Sequence, residues 1–251
     1  RRSRRRAGRG GVRLMREALA FLTILPVGAR DRPPGRGSLL AFPLVGLALG
    51  AVWALAGWGA TRLWGPLVAA AAVTLVDLGL TGGLHLDAVA DLADGWASRR
   101  PSEEALAVMR DPAVGAVGAA VLFATLLVRW SLIALLAARG RWGSLVVAPV
   151  AGRAAMVSVM GRSPRAAGAS LAEPLLAAGW AVTAATAATA AAASAVAAGI
   201  RGVGAVAIGV LLADVGARWS RRRFGGLAGD VVGAAGIAAE ILALALLSAR
   251  P

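Results

Sequence analysis

Residues 82–95 read GGLHLDAVADLADG and set Asp87, Asp91 and Asp94 close together beside His85, the one histidine of the chain. On a helix these spacings put the three carboxylates on a single stripe. Like charges stacked in this way repel, and each is costly near hydrocarbon. A cation must offset them. Mg²⁺ suits the set, because it takes a few carboxylates together with water and phosphate oxygens. Zinc is poorly served by one histidine and no cysteine. The bland alternative is a solvated acidic helix without chemistry, but Gly82, Gly83 and Gly95 bracket the stretch and acid is scarce elsewhere. Seven of the 13 acidic residues lie between Asp77 and Asp111. His85 alone carries less: it suits a base, a phosphate contact or a loop hydrogen bond.

Three further segments have similar chemistry. In VMRDPAVGAVG (108–118), Arg110 is suited to clamping a phosphate with two parallel hydrogen bonds. Asp111 beside it reads equally as a metal ligand or a helix cap. In RRRFGGLAGDVVGA (221–234), Gly225 and Gly226 let the backbone approach a ligand closely. Asp230 follows at the mouth of the last apolar run, where a cap is the competing reading. In GRAAMVSVMGRSPRAAG (152–168), Arg153 lies inside an apolar run and is a functional candidate for that reason. Arg165, with Arg162, lies in the polar stretch after it. Arg129 shares the status of Arg153 but has no motif around it.

The elements that must position these groups are membrane helices. With 58% hydrophobic residues and a mean hydropathy of +0.72, the 251-residue chain reads as an all-α, polytopic membrane bundle. About seven spans are expected, near 39–60, 66–83, 115–138, 143–160, 175–199, 203–217 and 231–248. Their Gly and Ala content suits close helix packing, within one chain or in a homo-oligomer. Without cysteine there is no disulfide or thiolate site.

The formal net charge is +14, and all 27 basic residues are arginine. Residues 1–15 are expected to be a disordered basic tail near anionic lipid, and no nucleic-acid module accompanies them. Residues 16–251 are expected to form one membrane domain that opens with an amphipathic stretch at 16–27. Met15 reads as nearer a functional start. The stretch MREALAFLTILPVGA resembles a signal peptide, but Pro26 and the lack of an A-x-A site argue against cleavage.

With the N-terminus in the cytoplasm, alternation leaves 84–114, 161–174 and 218–230 inside. These loops hold Arg99, Arg100, Arg110, Arg162, Arg165, Arg218 and Arg221 to Arg223, whereas the outer connections hold only Arg62, Arg139, Arg141 and Arg201, with Arg250 at the end. The acidic segment and both other polar segments therefore fall on the cytoplasmic face.

Together these segments resemble the cobalamin synthase family, the integral-membrane adenosylcobinamide-GDP ribazoletransferases. The resemblance is carried by FLTILPV (21–27), FPLVGLALG (42–50), TGGLHLDAVADLADG (81–95), MRDPAVGAVG (109–118), GRAAMVSVM (152–160) and FGGLAGDVVGA (224–234), and it covers most of the chain from residue 16. Ala88 stands where the family usually has glycine, and Arg110 where lysine is common.

The resemblance implies attack by the ribose 3′-hydroxyl of α-ribazole, or its 5′-phosphate, on the cobinamide-bearing phosphorus of adenosylcobinamide-GDP. GMP leaves, and adenosylcobalamin or its 5′-phosphate forms, with Mg²⁺ required, at a bacterial cytoplasmic membrane. On that basis Asp87, Asp91, Asp94 and Asp111 are the expected metal ligands. Asp230 and His85 are the expected catalytic groups, and Arg110, Arg153, Arg165, Gly225 and Gly226 the expected substrate contacts. A CDP-alcohol phosphotransferase is the nearest rival, since DLADGWA (91–97) matches its D-x-x-D-G-x-x-A opening. Ser98 then stands where that family has arginine. A transporter is the rival from another class, but its acids would lie at mid-membrane.

Overall fold

The computed structural model describes residues 2–28, 34–162, 166 and 179–250. Nine α-helices occur among them: α1 (Arg2–Leu22), α2 (Phe42–Trp64), α3 (Pro66–Thr81), α4 (Leu84–Ala97), α5 (Ser102–Val108), α6 (Ala116–Ala138), α7 (Trp142–Arg162), α8 (Gly179–Phe224) and α9 (Gly229–Ser248). A 3-10 turn, Arg36–Ala41, leads into α2. The chain is an all-α membrane bundle, as its composition demands. Five helices are long and apolar enough to cross a bilayer, or six if α3 and α4 together make one broken span.

The seven expected spans differ from this at two places. The run 66–83 is a helix of 16 residues that bends by 90° into α4. Gly82 and Gly83 make the bend with φ of 66° and 72°, left-handed values that cost other residues energy. The runs 175–199 and 203–217 fall mostly within α8, whose 46 residues, if straight, would reach about 69 Å, against ~30 Å of hydrocarbon. The helix breaks instead at Ala198 and Gly199, and Gly202 packs against the Ser194 carbonyl. At the other end, α1 takes in most of the arginine-rich stretch set apart as a tail.

Helix α7 is the centre of the bundle: every residue from 147 to 160 is buried. α2, α8 and α9 surround it, and small residues set how closely they approach. On α2, a Cβ at Gly46 would come within 2.6 Å of the Pro149 carbonyl oxygen, and one at Gly50 within 2.5 Å of that of Val146. The G-x-x-x-G in FPLVGLALG is therefore the α2–α7 contact, made by backbones that meet with no side chain between. α9 crosses an adjoining face of α7, where a Cβ on Gly152 would meet the Gly236 carbonyl oxygen at 3.0 Å.

A polar network runs through this apolar interior. Trp53 Nε1 on α2 donates to Asp77 Oδ1 on α3 at 3.2 Å. Arg129 Nη2 on α6 donates to Asp77 Oδ2 at 2.7 Å and to Glu240 Oε2 on α9 at 3.4 Å. Arg153 on α7 pairs with Glu240 through Nη1 and Oε1. The Arg129 guanidinium also lies 4.4 Å from the Trp53 ring centroid, a cation–π contact. Two acids balance two arginines, so five helices are joined without a net buried charge. Arg153 was expected to bind substrate. It is 1% exposed and its guanidinium is held by Glu240, which makes it a member of this network.

Helix α1 lies outside the spans. Met15, Ala18 and Leu22 turn inward, and the Phe21 ring stacks on Phe42 at 5.8 Å. Glu17 accepts from Arg13 Nε at 2.7 Å and from the Gly35 amide at 3.2 Å. The Arg13 hydrogen bond holds the Glu17 carboxyl below its ordinary range, against the opposing effect of burial. Past the helix, the Ile24 amide donates to the Leu80 carbonyl at 2.8 Å, which ties FLTILPV to the end of α3. A Cβ on Gly82 would meet the Ile24 side chain at 2.6 Å, so this strap packs directly on the α3–α4 bend.

Candidate functional site

The aspartates lie on α4, as their spacing predicts, and α9 supplies the fourth. The two helices cross at Ala88 and Gly233, where a Cβ on Gly233 would meet that of Ala88 at 2.6 Å. Asp91 is one turn beyond Ala88, and Asp230 one turn before Gly233. The crossing thus brings the helices' carboxylates together, and Asp91 lies within electrostatic reach of Asp87, Asp230 and Asp94. Asp87 is exposed, and Asp91, Asp94 and Asp230 are half-buried. Asp230 does not cap α9: the N-cap position is Ala228, and no side chain caps it.

Asp94 has a second task. Its Oδ2 accepts the Gly115 amide and its Oδ1 the Gly118 amide, each at 2.7 Å. Gly115 is the N-cap of α6, so Asp94 satisfies donors that a helix start leaves without partners. The N-terminal dipole of α6 favours its charge as well. A Cβ on Gly118 would strike this carboxylate and come within 2.8 Å of the Ala90 carbonyl oxygen. Gly118→Ala is therefore expected to push α4 off α6 at a cost of about 1–3 kcal/mol. Thermal unfolding in detergent reads this as a lower midpoint, whereas Gly59→Ala, with open space around it, leaves the midpoint unchanged or raised. Equal midpoints for the two variants would refute the contact.

The other expected site residues are distributed around this group. Asp111 closes a local turn by accepting the Ala113 amide at 2.9 Å, so it caps no helix. It shares with Asp94 a small cavity of about 320 Å³. Arg110 is exposed at the end of the α5 turn. Gly225 has φ 71°, and the Gly226 carbonyl accepts Ser220 Oγ at 2.6 Å. Arg165 lies outside the described residues. Its neighbour Ala166 donates to the Leu227 carbonyl at 3.0 Å, so the two polar segments meet there. His85 is buried against Gly233, on the face of α4 turned to α9 and away from solvent.

Asp87 also opens onto a cavity of about 670 Å³ walled by α1, α3, α4 and α6, with Phe21, Thr23 and Ile24 among its lining. Nothing in the spacing of FLTILPV signals that role.

Among the described residues, no three His, Asp or Glu side chains stand close enough together to enclose a metal ion. Magnesium does not need such an enclosure, because it keeps several waters and takes one or two carboxylates with phosphate oxygens. Asp87, Asp91 and Asp230 are hard oxygen donors of that kind, and no cysteine competes. The donor set therefore fits Mg²⁺.

The sequence pattern of the cobalamin-5-phosphate synthase family matches residues 14–248. A protein of Herpetosiphon aurantiacus named adenosylcobinamide-GDP ribazoletransferase is 36% identical over 95% of this chain and 97% of its own length. Proteins of the same name from Chlorobaculum parvum and Pseudomonas entomophila are 36% and 38% identical, over 89% and 92% of this chain and 90% and 95% of theirs. No solved structure matches. The carboxylate-bearing helices α4 and α9 both lie within the matched range, and the chain belongs to the cobalamin-5-phosphate synthase family.

Proposed function

We propose that this chain is an adenosylcobinamide-GDP ribazoletransferase, acting at the cytoplasmic face of the bacterial membrane with its N-terminus on that side. What carries the reading is the convergence of Asp87, Asp91 and Asp94 on α4 with Asp230 on α9. Asp87 and Asp91 are the residues that would hold Mg²⁺. The ion, when bound, neutralises charge on the transferring and leaving phosphates.

Asp230, on the rigid start of α9, takes the proton of the attacking ribose hydroxyl of α-ribazole or its phosphate. A new bond forms from that oxygen to the cobinamide-bearing phosphorus. The bond from this phosphorus to the bridging oxygen breaks, and GMP leaves with the electron pair. Asp94 keeps α4 seated on α6 so that Asp91 faces Asp230. Arg110, Arg165 and the Gly225–Gly226 backbone contact the phosphates. This reading gives His85, buried beside Gly233, no proton-transfer role.

The deciding experiment is GMP release by the detergent-purified protein, given adenosylcobinamide-GDP and α-ribazole phosphate, with and without Mg²⁺. Release is expected only with both acceptor and metal. A folded protein that releases none would refute the activity, and release unaffected by chelation would refute the metal's role.

A further inference from the structure

Beneath α4 lies a second, larger cavity of about 830 Å³, between α4, α6, α8 and α9. Val89, Leu92 and Trp96 form its roof at helical spacing, Ile237 and Ile241 one wall, and Trp219 its flank; Thr125 is the one polar residue of the lining. Three of its four helices are long and apolar enough to be membrane spans, which sets its apolar lining at bilayer depth. Along α9 it runs from Ala234 to Ala245, about 16 Å at 1.5 Å per residue, which is roughly one leaflet's depth.

The end roofed by Trp96 is basic. Arg99 and Arg100 follow that residue within a turn, and both are exposed. The Trp219 ring meets Phe224 edge-on at 5.5 Å, and the Arg223 guanidinium lies 5.2 Å from the Phe224 ring. Arg223 Nη2 donates to the Arg100 carbonyl at 2.8 Å, which closes the circle between the end of α8 and the segment after α4. An apolar slot reaching into one leaflet, with two indoles and several guanidiniums at its mouth, matches a lipid tail below an anionic head group.

We infer that this groove is a binding site for an anionic phospholipid, with an acyl chain between α4 and α9 and the phosphate at Arg99, Arg100 and Arg223. Phosphatidylcholine fills the same slot less well, because its cationic choline meets the arginines. The site is separate from the carboxylate group, although α4 roofs the groove and carries the aspartates. Lipid bound there props α4 from below.

The test uses the full chain in phosphatidylcholine vesicles doped with either phosphatidylglycerol or phosphatidylcholine brominated along one acyl chain. Bromine quenches tryptophan on contact, and no substrate is present, so the result does not depend on the transferase reading. Brominated phosphatidylglycerol is expected to give saturable extra quenching at a dopant fraction where brominated phosphatidylcholine gives only the background. Trp96→Phe with Trp219→Phe should remove the excess. Arg100→Gln with Arg223→Gln should reduce the preference about fivefold per arginine.

Equal quenching by the two lipids would overturn the proposal, as would a preference that survives the arginine changes. Loss of the excess on adding adenosylcobinamide-GDP would overturn it too, by giving the groove to substrate. Should the double arginine variant fold poorly, Arg99→Gln and Arg100→Gln singly, both on exposed positions, give the same reading.

Discussion

Asp91→Asn is expected to lower GMP release by at least ~10²–10³-fold, the loss seen when one preorganised electrostatic group is removed from a site of developing charge. Asp91 stands at the middle of the carboxylate group, with Asp87 and Asp94 on its own helix and Asp230 opposite. Asparagine keeps the shape but gives up the charge that a hard cation needs. The fold should not suffer, since removing one of several crowded negative charges relieves repulsion. Mg²⁺ titration of the residual activity should show weaker metal dependence.

Asp94→Asn is the informative companion. Its side chain satisfies two backbone amides of α6, and asparagine can still accept one of them. That variant should lose stability as well as activity, whereas Asp91→Asn should lose activity alone. Wild-type turnover by Asp91→Asn would sink the site as drawn.

What was legible in the sequence was whatever repeats within one helix. The i, i+4, i+7 placing of Asp87, Asp91 and Asp94 needs only helical geometry to predict a shared stripe, and α4 supplies it. The paired glycines at 82 and 83, read only as brackets of the acidic stretch, turn out to make the bend, and the G-x-x-x-G inside FPLVGLALG, read only as part of the resemblance, makes the α2–α7 contact. What depends on how separate helices cross was not legible. Asp94 looks like its two neighbours on α4, and only the position of the α6 terminus distinguishes it.

Arg129 and Arg153 each look like a lone charge in a span, the usual mark of a functional residue in a membrane. Their partners Asp77 and Glu240 come from α3 and α9, so no local pattern announces them. The one available signal was that three acids, Asp77, Asp214 and Glu240, lie inside apolar runs along with the two arginines, and buried charges of opposite sign are best paired. The break in α8 was half legible. Gly199 sits at it, yet the alanine-rich run on its N-terminal side has no feature that says how the two arms pack.

The second large effect follows from that pairing. Glu240→Leu alone leaves Arg129 with Asp77 but takes the Glu240 carboxylate away from Arg153, so that one buried positive charge is uncompensated. Breaking a buried pair in this way costs about 3–5 kcal/mol, and the variant should accumulate poorly and unfold at a much lower temperature. Arg153→Met alone leaves the opposite excess and should be comparably unstable.

Combining the two changes removes one charge of each sign. Asp77 and Arg129 remain as a balanced pair at 2.7 Å, still braced by Trp53. The double variant should therefore recover most of the lost stability, because apolar residues of similar volume replace a buried pair at little or no cost. Its activity then separates two roles for Arg153. A folded double variant that still releases GMP means Arg153 serves the bundle. A folded double variant without activity, in which Asp91 and Asp230 are intact, would return Arg153 to the substrate-binding role that the family resemblance implied for it.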